Sequence, residues 1–296
     1  MAITRTLKVI GKTRKQSLLD NLNRKLKRSN SSEIITNREI TRKYKQYRTT
    51  SQRIILQTQK MLERFSKEPK LKDAQFVFLD RDALPYMHIS RELCQQYGLK
   101  REQFKPAIIT KKAEEQIGSI LDKIYKHKGT IISISSNGEE IRQIARKIER
   151  TREIKNLKKI ISEEIDLTKP VVVIDSGYQG TAVKKYQILL KAINPDIQTY
   201  SSMFFTNYFA SLNTEYVILD KNDHLGSIKE IENAPKFTGK LLKTEERRKT
   251  ITFKRQKESS PDINLIGGYP EQANAEIFMI ALRNQLARYK KEKGIN

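Results

Sequence analysis

Short apolar runs alternate with helix-length segments from residue 74 onward, and this alternation constrains the fold more than any other feature of the chain. The most apolar run, PVVVI at 170–174, is typical of a strand covered on both faces. Strands separated by helices of this length favour parallel βαβ units. The sequence therefore predicts an α/β fold in which helices cover both faces of a parallel sheet. The other predicted strands are FVFL (76–79), PAIIT (106–110), TIISIS (130–135) and one or two runs within 199–220.

The first 70 residues differ in composition from the rest of the chain. They hold 19 basic and 5 acidic side chains, so they carry +14 of the total net charge of +24. Their leucine and isoleucine spacing predicts basic amphipathic helices. Pro69 disfavours helix at the residue before it, so SKEPKLKD (66–73) is a predicted linker. We predict two domains: a basic helical segment, 1–70, and a Rossmann-like α/β domain, 71–296.

The clustered positive charge favours a polyanionic partner, because each cation near a phosphate releases condensed counterions. Nucleic acid is the predicted polyanion, and solvated lysines on helix faces are the alternative. Tyr44 and Tyr47 lie among these cations and would either stack on unpaired bases or pack against a neighbouring element. The candidate nucleic-acid-binding residues are Arg42, Lys43, Lys45 and Arg48.

Several classes of protein are disfavoured by the composition. Cys94 is the only cysteine, which rules out an intramolecular disulfide and suggests a reducing, intracellular location such as the cytoplasm. The three histidines are far apart in sequence, which disfavours a Ser/His/Asp hydrolase. No apolar run has the length of a membrane helix. The basic, acid-poor first 32 residues would also suit an organellar presequence, which we keep as an alternative.

Polar residues follow three of the predicted strands at the point where each strand ends. The carboxyl ends of parallel strands share one edge of the sheet, where function gathers. Two carboxylates spaced DxD can divide phosphoryl chemistry, since one attacks phosphorus while the other donates and then accepts a proton. A neighbouring hydroxyl can hold phosphoryl oxygens, and a further aspartate can complete a Mg²⁺ site; the same residue types also cap helices. These strand ends carry Asp80 and Asp82, Ser135, Ser136 and Asn137, and Asp175, Ser176 and Gly177.

The strand ends also carry a resemblance to a known family. FVFLDRDALP resembles motif I of the haloacid dehalogenase (HAD) superfamily of phosphohydrolases, TIISISSNG is similar to motif II, and KPVVVIDSGYQGT is similar to motif IV. The resemblance covers about residues 75–190. It implies a Mg²⁺-dependent phosphohydrolase or phosphotransferase acting on a phosphorylated substrate. A nucleotide or a nucleic acid is one candidate for this substrate, which the sequence does not identify.

The resemblance implies a role for each matching residue. Asp80 would be the nucleophile and Asp82 the acid/base, and Asp80, Asp82 and Asp175 would hold the metal. Ser136 or Ser135, with Asn137, would bind the phosphate, and Lys158 or Lys159 would be the motif III lysine. Two departures, Ala83 in place of glycine and no second acid after Asp175, place the chain nearer a branch that carries RDG and DxGxxGT.

A weaker resemblance leads to phosphoribosyltransferases. LDRDALP and VVVIDSGYQGT are similar, in order, to the pyrophosphate loop and the ribose-phosphate loop of that family. This similarity implies that Gly177, Gly180 and Thr181 form a phosphate-holding turn before a helix, although Ser176 stands where the family has a second acid. A third hypothesis is a basic nucleic-acid-binding or assembly protein that keeps the fold without catalysis.

Overall fold

A five-stranded parallel sheet is the main element of the computed structural model. The structure describes residues 37–79, 83–107, 115, 117–119, 138–178, 180–206, 216–218, 237–238, 264–265 and 269–295. The strands lie in the order β2-β1-β3-β4-β5. Their bounds are β1 Gln75–Phe78, β2 Phe104–Pro106, β3 Val171–Tyr178, β4 Thr199–Thr206 and β5 Tyr216–Val217. Two further strands, β6 Phe237–Thr238 and β7 Asn264–Leu265, pair in a separate sheet.

Six α-helices accompany these strands in the described part of the chain. Thr151 separates two of them, because its hydroxyl accepts a hydrogen bond from the Ile154 N–H at 3.4 Å and so caps the second. The sequence predicts one break in this region, and that prediction is confirmed. The helices are α1 Asn37–Ser66, α2 Leu84–Leu93, α3 Gly138–Ile148, α4 Arg152–Glu164, α5 Thr181–Ile193 and α6 Tyr269–Lys293.

The two faces of the sheet bury different sets of residues. On one face, Phe76 stacks against Phe65 of α1, with ring centroids 5.0 Å apart, and against Phe104 of β2 at 4.9 Å. On the other face, Val77 and Val173 join a buried apolar cluster with residues of α3, α4 and α5. Neighbouring residues of a strand point to opposite faces, so β1 is covered on both. The predicted parallel α/β sheet of Rossmann-like type is confirmed.

The strands match the predicted runs with shifted ends. β2 begins two residues before the predicted PAIIT run, because Phe104 is a fully buried partner of Phe76. β3 continues past the apolar run to Tyr178, because Gly177 and Tyr178 still pair with β4. The predicted strand 130–135 and the predicted helix at 13–32 lie outside the described residues.

The described residues group into two compact units. One combines residues 37–53 of α1 with α6, and the other contains the remainder of α1 and the parallel sheet. The predicted domain boundary at residue 70 stays a prediction. No helix within the described ranges is long and apolar enough to cross a membrane.

The single cysteine is structural in character. Cys94 lies in a 3₁₀ turn after α2, fully buried, with its Sγ 3.6 Å from the Arg91 carbonyl oxygen. Burial raises the pKa of the thiol above its usual value, so the side chain is the protonated, weakly nucleophilic form at neutral pH.

Candidate functional site

The strand order defines where a site is expected. From β1 the chain proceeds to β2 on one side, and β3 then adds on the other side of β1. The connection after β1 leads to β2 on one side, and the connection after β3 leads to β4 on the other side. The carboxyl ends of β1 and β3 are therefore the topological switch point of the sheet. Ligands of open α/β sheets bind in the crevice at such a point.

The backbone brings the ends of β1 and β3 together. Phe78 is in register with Ile174, and the Leu79 N–H donates to the Ile174 carbonyl oxygen at 2.8 Å. Leu79 directly precedes the DxD sequence, and Ile174 directly precedes Asp175. Leu79, the last described residue before the DxD sequence, therefore lies beside the part of β3 that carries Asp175.

Asp175 lies inside β3, one residue before a buried serine. Its side chain is half-buried, and its Oδ1 accepts a hydrogen bond from the Ser176 N–H at 2.8 Å. Ser176 is 4% exposed and points to the face opposite Asp175, as alternation along a strand requires. Asp175 therefore lies one residue past Ile174, the last β3 residue in register with β1, and its Oδ1 is engaged by the backbone.

Gly180 forms the turn that leads from β3 into α5. Its φ of 70° and ψ of 6° are left-handed, a conformation that glycine adopts at little cost. A Cβ at this position would lie 3.1 Å from Cε and 3.4 Å from Sδ of Met203 in β4. Both the backbone angle and the space therefore select glycine in the GxxGT sequence.

The first turn of α5 provides a positive environment next to this turn. The first backbone N–H groups of a helix have no partner within the helix, and the helix dipole is positive at that end. Acidic side chains commonly occupy this position, but α5 has none in its first turn. Lys184 lies there instead and is only 8% exposed. This end of α5 is therefore suited to a phosphate group.

Lys184 is a candidate that the sequence analysis did not select. The signal available in the sequence is a lysine pair, Lys184 and Lys185, that comes three residues after Thr181 in the first half of the helix. Lys185 is half-exposed, and its Nζ would lie 3.5 Å from a Cβ built at Gly118.

Several predicted site residues lie outside the described residues. These are Asp80, Asp82, Ser135, Ser136 and Asn137. Lys158 is described and is exposed in the middle of α4. Its neighbour Leu157 is fully buried in the apolar cluster, so α4 presents Lys158 to the side away from its packed face. Its predicted role in catalysis stays a prediction.

The candidate metal ligands meet the chemical requirement for Mg²⁺, which prefers carboxylate oxygens. Asp175 offers such oxygens at the switch point. Within the described ranges no three His, Cys, Asp or Glu side chains group together as a metal site would require. A complete site would draw its remaining ligands from the DxD sequence after β1.

The predicted nucleic-acid-binding residues are all on the first half of α1. Arg42 and Lys45 are exposed, while Lys43 and Arg48 are half-buried. Tyr44 and Tyr47, each 6% exposed, pack inward and present no open ring face to a base. Of the two interpretations of these tyrosines, packing is the one observed.

The fold and the switch-point geometry define a Rossmann-like parallel α/β protein. Comparisons with models of protein families, with curated proteins and with solved structures found no significant match.

Proposed function

We propose that the chain is a Mg²⁺-dependent phosphohydrolase or phosphotransferase of the HAD type, acting at the carboxyl ends of β1 and β3. The observation that carries the proposal is the pairing of Leu79 with Ile174, because it brings the residue that precedes the DxD sequence next to the segment that holds Asp175. Carboxylates from two adjacent strands at a switch point are the arrangement that phosphoryl chemistry with a divalent cation needs.

In the proposed reaction Asp80 is the nucleophile. Its carboxylate attacks phosphorus, and the bond from phosphorus to the leaving oxygen breaks while Asp82 gives that oxygen a proton. Asp82 then accepts a proton from the water that attacks the aspartyl phosphate, so that inorganic phosphate leaves and Asp80 is regenerated. A phosphotransferase would use an acceptor hydroxyl in place of water.

Asp175 and the DxD carboxylates would hold Mg²⁺, which offsets the negative charge of the phosphoryl group when bound. Ser136 or Ser135, with Asn137, would bind phosphoryl oxygens. Lys158 is the proposed motif III lysine, and Lys184 is a further source of positive charge.

The second candidate function is that of a phosphoribosyltransferase, and Gly180 favours it. The left-handed turn at Gly180, followed by an acid-free helix start at Thr181, is a suitable cradle for a ribose 5-phosphate. In this case the phosphate would bind at residues 177–181, and Asp80 would not be phosphorylated.

The test is a phosphatase assay of the full chain. Hydrolysis of p-nitrophenyl phosphate and of 3′- or 5′-phosphorylated oligonucleotides is expected in Mg²⁺ and is expected to be lost with EDTA, because the metal offsets charge at the phosphoryl group. Phosphate release that is equal with and without EDTA contradicts the proposed dependence on Mg²⁺. No release from any of these substrates in Mg²⁺ contradicts the proposed reaction.

A further inference from the structure

The unit that combines residues 37–53 of α1 with α6, the helical unit, is held together by the inward faces of these two helices. Tyr47 of α1 meets Phe278 of α6 edge to face, with ring centroids 5.5 Å apart. The Tyr44 hydroxyl accepts a hydrogen bond from the Asn284 amide at 3.0 Å. Residues more than 200 positions apart in sequence thus form one packed pair. The aromatic rings of Tyr47 and Phe278 are both used in this contact, and Ile277, Ala281 and Leu282 of α6 are buried as well.

About half of the exposed residues of this pair are cationic, and most of the others are neutral. Residues 41–53 and 277–295 together hold ten lysines and arginines and one acid, Glu292. Glu292 is already engaged, because its Oε1 lies 2.6 Å from Nε of Arg288. The whole chain has 58 basic and 34 acidic residues, so the excess in these two segments is far above the average.

The cations follow the helical repeat on each helix. On α1, Arg42 and Lys45 are exposed and three residues apart, so they share one side of the helix. On α6, Arg283 and Lys291 are exposed and eight residues apart, which again places them on one side. An acid precedes each row, Glu39 three residues before Arg42 and Glu276 seven residues before Arg283, and each row has more cations than acids. Each helix of the unit therefore carries its own row of positive charge.

We propose that the surface formed by the outward cations of α1 and α6, the α1/α6 basic surface, binds the phosphate backbone of nucleic acid. Phosphates spaced along a strand match rows of cations, and neutralising them releases condensed counterions. A membrane surface fits less well, because an interfacial helix inserts an apolar face and here those faces are packed on each other. Among the described residues, Leu56 is the one exposed large apolar side chain.

The buried tyrosines determine how this surface reads its partner. Tyr44 and Tyr47 are not available to stack on bases, so contact is to phosphates, which carry no sequence information. Binding should therefore be independent of sequence and steeply dependent on salt. The surface does not use Asp80 or Asp175 and is independent of the proposed phosphohydrolase site.

The test compares three triple variants of the full chain that each remove three positive charges. The first changes α1 (Arg42→Gln, Lys45→Gln, Arg48→Gln), and the second changes α6 (Arg283→Gln, Lys291→Gln, Lys293→Gln). The matched control changes exposed cations on α3 and α4 (Arg146→Gln, Lys147→Gln, Lys155→Gln). Circular dichroism checks that all three remain folded.

Fluorescence anisotropy with labelled RNA and DNA of about 20 nucleotides, in KCl from about 50 to 200 mM, gives the affinity and its salt slope. The α1 and α6 variants are each expected to weaken binding at least about tenfold and to lower the slope by about two. The control variant should bind like the wild type.

Three results would overturn the proposal. The first is the absence of salt-dependent binding by the wild type. The second is an equal loss in all three triple variants, which would mean that net charge alone attracts the probe. The third is binding to anionic vesicles without binding to either oligonucleotide. Failure of the phosphatase assay leaves this proposal intact, because the two tests change different residues.

Discussion

Replacing Asp80 with asparagine is expected to lower kcat for Mg²⁺-dependent phosphoester hydrolysis at least ~1000-fold. The amide oxygen is a far weaker nucleophile than the carboxylate, and the loss of one negative charge also weakens the metal site. Steady-state phosphate release from p-nitrophenyl phosphate measures the effect, with the wild type assayed in parallel.

Asp73→Asn is the matched control for this change. Asp73 is an exposed aspartate that precedes β1 and so lies at the amino edge of the sheet, away from the switch point. This variant should retain wild-type kcat, and its stability should change by no more than about 0.5 kcal/mol. An Asp80→Asn protein that folds and keeps its turnover would show that Asp80 is not the nucleophile.

Gly180→Ala is expected to destabilise the chain by about 2 kcal/mol. A non-glycine residue in the left-handed region costs about 1–2 kcal/mol, and the new Cβ would also press on Met203 at 3.1 Å. Met203 is 1% exposed, so the space into which its side chain could move is limited. Urea unfolding followed by circular dichroism gives the difference in free energy.

Gly98→Ala separates the cost of the left-handed backbone from the cost of the contact with Met203. Gly98 has nearly the same φ, 68°, but a Cβ there would meet nothing within 4 Å. Its substitution should therefore cost only the backbone strain, about 1 kcal/mol. If Gly180→Ala costs no more than Gly98→Ala, the contact with Met203 does not constrain the turn.

The parallel sheet could be predicted because its strands are apolar on both faces. Every residue of VVVI in the PVVVI run is apolar, so both faces of this strand are buried. In the sheet, Val172 is in register with Phe76 of β1, and both are fully buried. The ends of the strands could not be placed in the same way. Asp175 to Tyr178 includes polar residues, and within the described part of the chain it is the backbone of β4 that pairs with them.

The predicted site depended on the order of the strands, which local sequence does not contain. DxD and DxGxxGT are about 90 residues apart in the chain. Leu79, which precedes DxD, lies beside Ile174 because β3 inserts next to β1, a long-range arrangement set by packing on both faces of the sheet. The motifs predict which segments would form the site, and the strand order explains how those segments would act together.

The helical unit shows the opposite case, in which local sequence was not sufficient. Tyr44 and Tyr47 among cations would suit either base stacking or packing. Packing is observed because Tyr47 contacts Phe278 and Tyr44 accepts a hydrogen bond from Asn284, both in α6 near the carboxyl end of the sequence. No pattern within residues 1–70 indicates that partner, and so the cationic row of α6 was not joined to that of α1.

The location of bound phosphate and metal is the most direct test of the proposed site. We would determine a crystal structure of the full chain with Mg²⁺ and beryllium fluoride, a mimic of a phosphoryl group. The proposal predicts the mimic bonded to the carboxylate of Asp80, with Mg²⁺ between Asp80 and Asp175. A phosphate mimic in the turn at 177–181, with no metal at Asp80, would contradict it and favour the phosphoribosyltransferase alternative.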